Sequence, residues 1–320
     1  VTSEVPVLLT PARVRELAAS AGVRPTKTLG QNFVIDPGTV RKIVRQAEVS
    51  SGEQVVEIGP GLGSLTLGLL EAGADVVAVE IDPVLARLLP ATVAQQAPGW
   101  QAGEDVVLDS DGRVRLRVVT ADALDVDTLP GPPSTALVAN LPYNVAVPVL
   151  LTFLERFTSW RRGLVMVQSE VADRLVAAPG SRVYGVPSVK TAWYAQARRT
   201  ATVGPRVFWP VPNVDSALVR LDRRDPPPTS ATRVQVFATV DAAFAQRRKM
   251  LRSALATLAG SGEAAAEALT AAGLDPTDRG ERVDVAGLAR LAERLPPVEH
   301  LPPLGSRASH GRGEPGTVAP

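Results

Sequence analysis

The stretch EQVVEIGPGLGSLTLGLLEAGADVVAVEIDP, Glu53 to Pro83, decides the fold. Gln54 to Ile58 has the length and β-branched content of a strand, and three glycines at alternate positions, Gly59, Gly61 and Gly63, end it. Ser64 to Glu71 reads as a short apolar helix stopped by Gly73, and Asp75 to Val79 as a second strand. Strand, glycine turn, helix and strand make a βαβ unit with two parallel strands. The glycine turn then lies at the carboxyl end of the first strand, where open α/β sheets bind ligands. Glu80 ends the second strand, 21 residues after Gly59, where a carboxylate accepts hydrogen bonds from both hydroxyls of a ribose.

The glycine spacing narrows the ligand. A dinucleotide fingerprint spaces its glycines G-x-G-x-x-G and frees backbone N–H groups for a pyrophosphate. Here the pattern is G-x-G-x-G, and Pro60 has no N–H to give. A ligand with a ribose but no pyrophosphate, such as S-adenosylmethionine, fits better than NAD.

Working outward, Thr10-Pro11, Asp36-Pro37 and Asp82-Pro83 each read as a capping residue with proline at the first helical position. Further strands end at Thr120 and Asn140 and cover GLVMVQS, Gly163 to Ser169, and ALVRLDRR, Ala217 to Arg224. Strands alternating with helices predict an α/β class, with a Rossmann-like, doubly wound parallel sheet. DPPPTS, Asp225 to Ser230, breaks this pattern, and only helical periodicity follows it. The predicted organisation is a ligand-binding domain over 1–225, a small all-helical domain over 229–295 and a disordered Pro/Gly/Ser-rich tail over 296–320.

Asp122, just past the strand ending at Thr120, either accepts from the amino group of an adenine or caps a turn. VANLPYNVAVP, Val138 to Pro148, raises a similar choice, because its turn holds no acid, base or thiol. It is either an Asn-x-Pro turn or a site that needs only acceptors and an aromatic face. An aromatic amine such as adenine N6 is a poor nucleophile, its lone pair being delocalised into the ring. Acceptors on its two N–H groups favour a tetrahedral nitrogen and aim the lone pair. Asn140 supplies a side-chain carbonyl, Leu141 or Pro142 a backbone carbonyl, and Tyr143 a face on which a base stacks.

Composition limits the chemistry. The 320 residues include no cysteine, which excludes disulfides and thiolate metal sites, and their two histidines, His300 and His310, both lie in the Pro/Gly-rich tail, which argues against histidine catalysis; no metal is implied. The stretch VTSEVPVLLTPARVREL lacks the basic, apolar and cleavage-site order of a secretion signal, and no apolar run reaches the roughly 18 residues a membrane helix needs, so a cytoplasmic location without membrane contact is expected. Net charge is only +1, yet 30 of the 34 basic residues are arginine. That bias suits phosphate recognition or reflects genome composition, and placement must decide. Arg247, Arg248, Lys249 and Arg252 fall within two predicted helical turns, fanning around the helix while Phe244, Leu251 and Leu255 pack inward. They make either a phosphate-binding patch or a solvated helix face. Arg161-Arg162 and Arg198-Arg199 are candidate extensions of that footprint.

Taken together, KTLGQNFVID, VVEIGPGLGSLT, VEIDP, ADAL, NLPYN, VFWPVPNVDSALVRL and FAQRRKMLRSAL, in order from residue 27 to 255 with a looser match to about 295, resemble the ribosomal RNA adenine N6-dimethyltransferases, above all the small-subunit branch. The resemblance implies that Asn32 and Val34, with Gly59, Gly61, Glu80, Asp122 and Asn140, line the S-adenosylmethionine pocket. It gives Asn140 and Tyr143 the amine-holding and base-stacking roles. Phe208 then covers the other face of a flipped adenine, or packs as core in a stiff apolar loop, or does both.

The implied activity is transfer of methyl groups to N6 of two adjacent adenosines near the 3′ end of 16S rRNA in the 30S subunit. Dimethyladenosine would be made late in subunit assembly by a monomer with no metal. The large-subunit branch that confers macrolide resistance shares most of these motifs. A non-catalytic RNA-binding assembly factor is an alternative of another class, which intact Glu80, Asp122, Asn140 and Tyr143 disfavour, and a small-molecule methyltransferase is disfavoured by the basic segment. Three departures stand out. WQAGEDVVLDSDGRVRLRVV, Trp100 to Val119, is longer than the family's usual link, with Asp111-Gly112 suggesting an added hairpin. Val34 stands where leucine is usual and Met250 where threonine is frequent; neither change removes a proposed functional group.

Overall fold

A computed structural model describes residues 5–22, 32–142 and 144–298. In chain order its strands are β1 (Phe33–Val34), β2 (Gln54–Ile58), β3 (Asp75–Glu80), β4 (Gln101–Ala102), β5 (Val106–Leu108), β6 (Val114–Thr120), β7 (Ala136–Asn140), β8 (Arg162–Gln168), β9 (Ala195–Val203), β10 (Phe208–Trp209) and β11 (Ser216–Arg223). Among the described residues, nine of them form one sheet in the order β4-β5-β6-β3-β2-β7-β8-β11-β9, while β1 and β10 form a separate antiparallel ribbon.

The βαβ unit stands where its periodicity predicts it, with helix Ser64–Glu71 between parallel β2 and β3. β2 and β7 are covered on both faces, which is why they read as unbroken apolar runs. The three cap-proline pairs begin helices Pro11–Ser20, Pro37–Ala47 and Pro83–Gln96, and the side chains of Thr10, Asp36 and Asp82 accept the first-turn N–H groups of Arg13, Thr39 and Val84 at 3.2, 2.7 and 2.8 Å.

The sheet is mixed rather than parallel. β6, β3, β2, β7 and β8 run parallel, but β11 is antiparallel to β8 and β9, and β5 is antiparallel to β4 and β6. At the β4-β5-β6 edge the connections of three and five residues, 103–105 and 109–113, are too short for the crossover of a dozen or more residues that a parallel neighbour needs. The Asp111-Gly112 segment does make a hairpin, between β5 and β6, with Gly112 N donating to Asp109 O at 3.0 Å. The sequence pattern does not mark β9, since this edge strand is mostly exposed and lacks an apolar alternation.

After DPPPTS the chain is helical: Arg233–Ala245, Leu251–Ala254, Ala256–Ala259, Gly262–Ala271 and Val285–Ala292. Thr232 and Gln235 cap the first of these reciprocally. Its Phe237 packs edge-on against Trp193 and Tyr194, with ring centroids 6.1 and 5.9 Å apart. Lys190 Nζ, from the helix Val186–Tyr194, reaches Asp241 at 2.7 Å. One hydrophobic cluster runs from the sheet through these contacts into the C-terminal helices. The transition near 225–229 is therefore a change from strand to helix without a break in the core. Most of the predicted tail, from residue 299, lies outside the described residues. Among the described residues no helix is long and apolar enough to cross a membrane.

Candidate active site

β6, β3, β2 and β7 are neighbours, so their carboxyl ends bring together residues that the sequence scatters. Glu80 ends β3, Gly59 follows β2, Asp122 follows β6 and Asn140 ends β7. The chain builds outward from β2 through β3 and β6, then returns to the other side of β2 as β7. This reversal is the switch point at which doubly wound sheets open a crevice. Asn32, Val34, Gly59, Gly61, Glu80, Asp122 and Asn140 all line one cleft there, together with Phe33, Glu57, Ser64, Pro142 and Asn144. It encloses about 1180 Å³ with its open mouth included.

Glu80 is 5% exposed and oriented by the backbone. Its Oε2 accepts from Gly61 N and its Oε1 from Asp82 N, both at 3.0 Å. Burial raises its pKa and these backbone N–H groups oppose the rise. Two bonds leave a carboxylate with acceptor capacity for two hydroxyls. Gly61 has φ +57°, and a Cβ there would sit 2.8 Å from the Phe33 ring, so both conformation and space require glycine. Ser64 Oγ, at the start of the following helix, is buried with no hydrogen-bond partner among the described residues. A cleft with an oriented carboxylate, a glycine cradle and an unsatisfied hydroxyl fits a nucleoside ligand with a polar tail.

Glu57 belongs to this cleft, and sequence reasoning assigns it no role. It is 1% exposed on β2, and Thr66 Oγ1 donates to its Oε2 at 2.7 Å. Burial, the largest cause, pushes its carboxyl up to about 8, and nearby Glu80 adds to the rise. An acid inside the apolar run VVEI is the signal that marks it.

Asn140 Nδ2 donates to Asn32 O at 3.0 Å, which sets the amide plane and leaves the side-chain carbonyl as the acceptor. Pro142 O already accepts from Val145 N at 3.3 Å, closing the turn. Asp122 Oδ1 accepts from Leu124 N at 2.9 Å, the turn-capping bond that the sequence allows, and the residue also lines the cleft. Tyr143 lies outside the described residues. Phe208 is 0% exposed and pairs with Val34 across the β1–β10 ribbon. Alternation along that ribbon turns Phe208 into the core, so its packing fits the core role and leaves no ring face open to a base.

The basic segment differs from its expected form. The helix ends at Ala245, and Arg247, Arg248 and Lys249 sit exposed in a turn before Leu251–Ala254. Tertiary bonds draw the chain out of the helix here: Leu251 N donates to Asp278 O at 2.7 Å and Arg252 N to Pro276 O at 3.3 Å. Arg247 donates to Arg182 O and lies 3.8 Å from Glu281. Arg248, Lys249 and Arg252 make no ion pair among the described residues. The candidate extensions are more engaged. Arg162 bonds Glu53 at 2.5 Å and the carbonyls of Ala47 and Glu48, which end helix Pro37–Ala47. Arg199 meets Asp173 at 2.5 Å and Arg198 meets Asp222 at 3.5 Å. Arg162, Arg198 and Arg199 thus each have a carboxylate within 3.5 Å, whereas Arg248 and Lys249 of the turn have none among the described residues.

Fold and site together define a Rossmann-like α/β protein with a nucleoside cleft at its switch point and an oriented amide at the cleft's edge. The chain belongs to the ribosomal RNA adenine dimethylase family, whose model matches residues 23–295. Proteins named ribosomal RNA small subunit methyltransferase A are similar to it over most of their length. The relative from Cutibacterium acnes is 62% identical over 293 residues (90% of this chain, 94% of the relative), and that from Kineococcus radiotolerans 64% over 290 residues (90% and 92%). A solved dimethyladenosine transferase from Plasmodium falciparum shares the fold with a TM-score of 0.63 at 20% identity, covering 81% of this chain and 95% of its own. The 23S rRNA methyltransferase ErmE gives 0.57 at 27% identity, covering 82% and 99%.

Proposed function

We propose that the chain transfers methyl groups from S-adenosylmethionine to N6 of two adjacent adenosines near the 3′ end of small-subunit rRNA, two groups per adenosine, as a monomer acting on the 30S subunit in the cytoplasm. The observation that carries this reading is the oriented Asn140 amide beside a cleft whose far strand ends in Glu80. Small-subunit names on relatives more than 60% identical support the choice of RNA over the large-subunit alternative.

Glu80 holds the ribose hydroxyls, Asp122 accepts from the adenine amino group, and Ser64 with the Gly59–Gly61 turn faces the remainder of the bound molecule. When bound, S-adenosylmethionine supplies a methyl group on a positively charged sulfur. Asn140 Oδ1 and Leu141 O accept the two N–H groups of the target amine, Pro142 O being taken up by its turn. Tyr143 stacks on the target base. Once the nitrogen carries the methyl group it is acidic, and water removes its proton, so no strong base is needed. Orientation and exclusion of water lower the barrier.

The test is to incubate the protein with methyl-labelled S-adenosylmethionine and either undermethylated 30S subunits or naked 23S rRNA, then map the label. Label on adjacent adenosines of 16S rRNA is expected. Label confined to 23S rRNA would overturn the choice of RNA, and cofactor binding without any label would favour an assembly factor. Arg247→Ala with Arg248→Ala is expected to weaken 30S binding and to lower the slope of log K against log salt by about 2, one for each phosphate no longer neutralised. Affinity for S-adenosylhomocysteine should stay the same in calorimetry, whereas an unchanged salt slope would remove these arginines from the RNA footprint.

A further inference from the structure

The Asn32–Val34 strap lines the cleft but, among the described residues, joins none of the nine strands of the main sheet. Its strand partner is β10, through the pairs Phe33 with Trp209 and Val34 with Phe208, and Ile35 N donates to Val207 O at 2.8 Å. A two-residue ribbon is weak by itself, and cross-strand side chains stabilise such pairs. Here Trp209 stacks on Phe33, with centroids 6.3 Å apart and planes 25° from parallel. The Phe33 ring in turn occupies the space over Gly61. From the same strap, Asn32 O accepts the bond that orients Asn140. Trp209 itself does not line the cleft.

We propose that Trp209 is a positioning residue for methyl transfer: stacked on Phe33, it holds the Asn32–Val34 strap in place, so that cofactor affinity and the orientation of Asn140 both depend on an indole outside the cleft. This rests on the reading of the cleft as the cofactor site. The strap contributes one wall of the cleft and the acceptor that sets the Asn140 amide, and a loosened strap degrades both together. The RNA-binding turn at 247–249 is remote in sequence and attached to other elements, so binding of the 30S subunit is independent of the stack.

The test uses the full chain and calorimetry with S-adenosylhomocysteine, with kcat on 30S subunits at saturating cofactor. Trp209→Ala is expected to raise the dissociation constant about tenfold and to lower kcat about tenfold, near the upper end for one stacked aromatic pair. Trp209→Phe, which keeps a stacking ring, restores both to within about threefold. In a Phe33→Ala background the Trp209→Ala step adds no further loss of cofactor affinity, because the stack is already broken. A role confined to general stability would lower the melting temperature and the number of binding-competent molecules, leave the dissociation constant of the folded ones unchanged, and overturn the proposal. If the alanine variant does not fold, Trp209→Leu fills the volume without stacking and carries the same expectation. Failure of the unaltered protein to bind S-adenosylhomocysteine would overturn the cofactor reading and this proposal with it; binding that the folded Trp209 variants leave unchanged would overturn this proposal alone.

Discussion

Asn140→Ala is expected to lower kcat for methyl transfer by about 10²–10³-fold, the usual loss when one preorganised hydrogen-bonding group is removed from a reacting centre. The substitution deletes the acceptor proposed to hold the target amine and leaves the other cleft residues unaltered. The fold should survive, because Asn140 is only partly buried and, among the described residues, its side chain gives up one bond, to Asn32 O, worth about 1 kcal/mol net. Single-turnover rates with saturating 30S subunits, paired with a thermal melt, separate the two effects. A folded variant within threefold of the wild-type rate would remove Asn140 from the chemistry and leave NLPY a strand-ending turn.

Glu57→Gln is expected to change how stability depends on pH. The folded-state pKa of about 8 lies above the ordinary 4.5, so Glu57 keeps its proton in the folded protein at neutral pH and ionises on unfolding. Its stabilising contribution is fully present below about pH 4.5 and is lost as pH rises through about 8. Within that window the folding equilibrium weakens by up to tenfold per pH unit, a few kcal/mol in total. Glutamine still accepts from Thr66 Oγ1 but does not titrate, so the difference in unfolding free energy between variant and wild type should grow in the variant's favour from pH 5 to pH 8. Denaturant melts across that range measure it, and parallel curves would show that Glu57 is ionised in the folded state.

Much of this protein is legible from local sequence because local physics fixes it. Glycines at alternate positions permit the left-handed turn after β2, cap-proline pairs set helix starts, and doubly buried strands need unbroken apolar runs. Glu80 and Asn140 stand out in the sequence because strand ends face the cleft in any sheet of this class. β9 does not, because an exposed edge strand has no apolar period to detect. The helix predicted through Arg247–Lys249 fails because its apolar spacing continues past the point where bonds to Pro276 and Asp278 divert the backbone.

Local sequence is thus sufficient for the βαβ unit and the placement of acceptors at strand ends. The remaining features arise only in the folded chain, since they depend on residues brought together from far apart. The amide of Asn140 is oriented by a carbonyl 108 residues away. Phe208 is core and not an open face because β10 pairs with β1. The carboxyl of Glu57 is pushed up to about 8 because the chain closes around it, and no local pattern encodes how much water a buried group has lost.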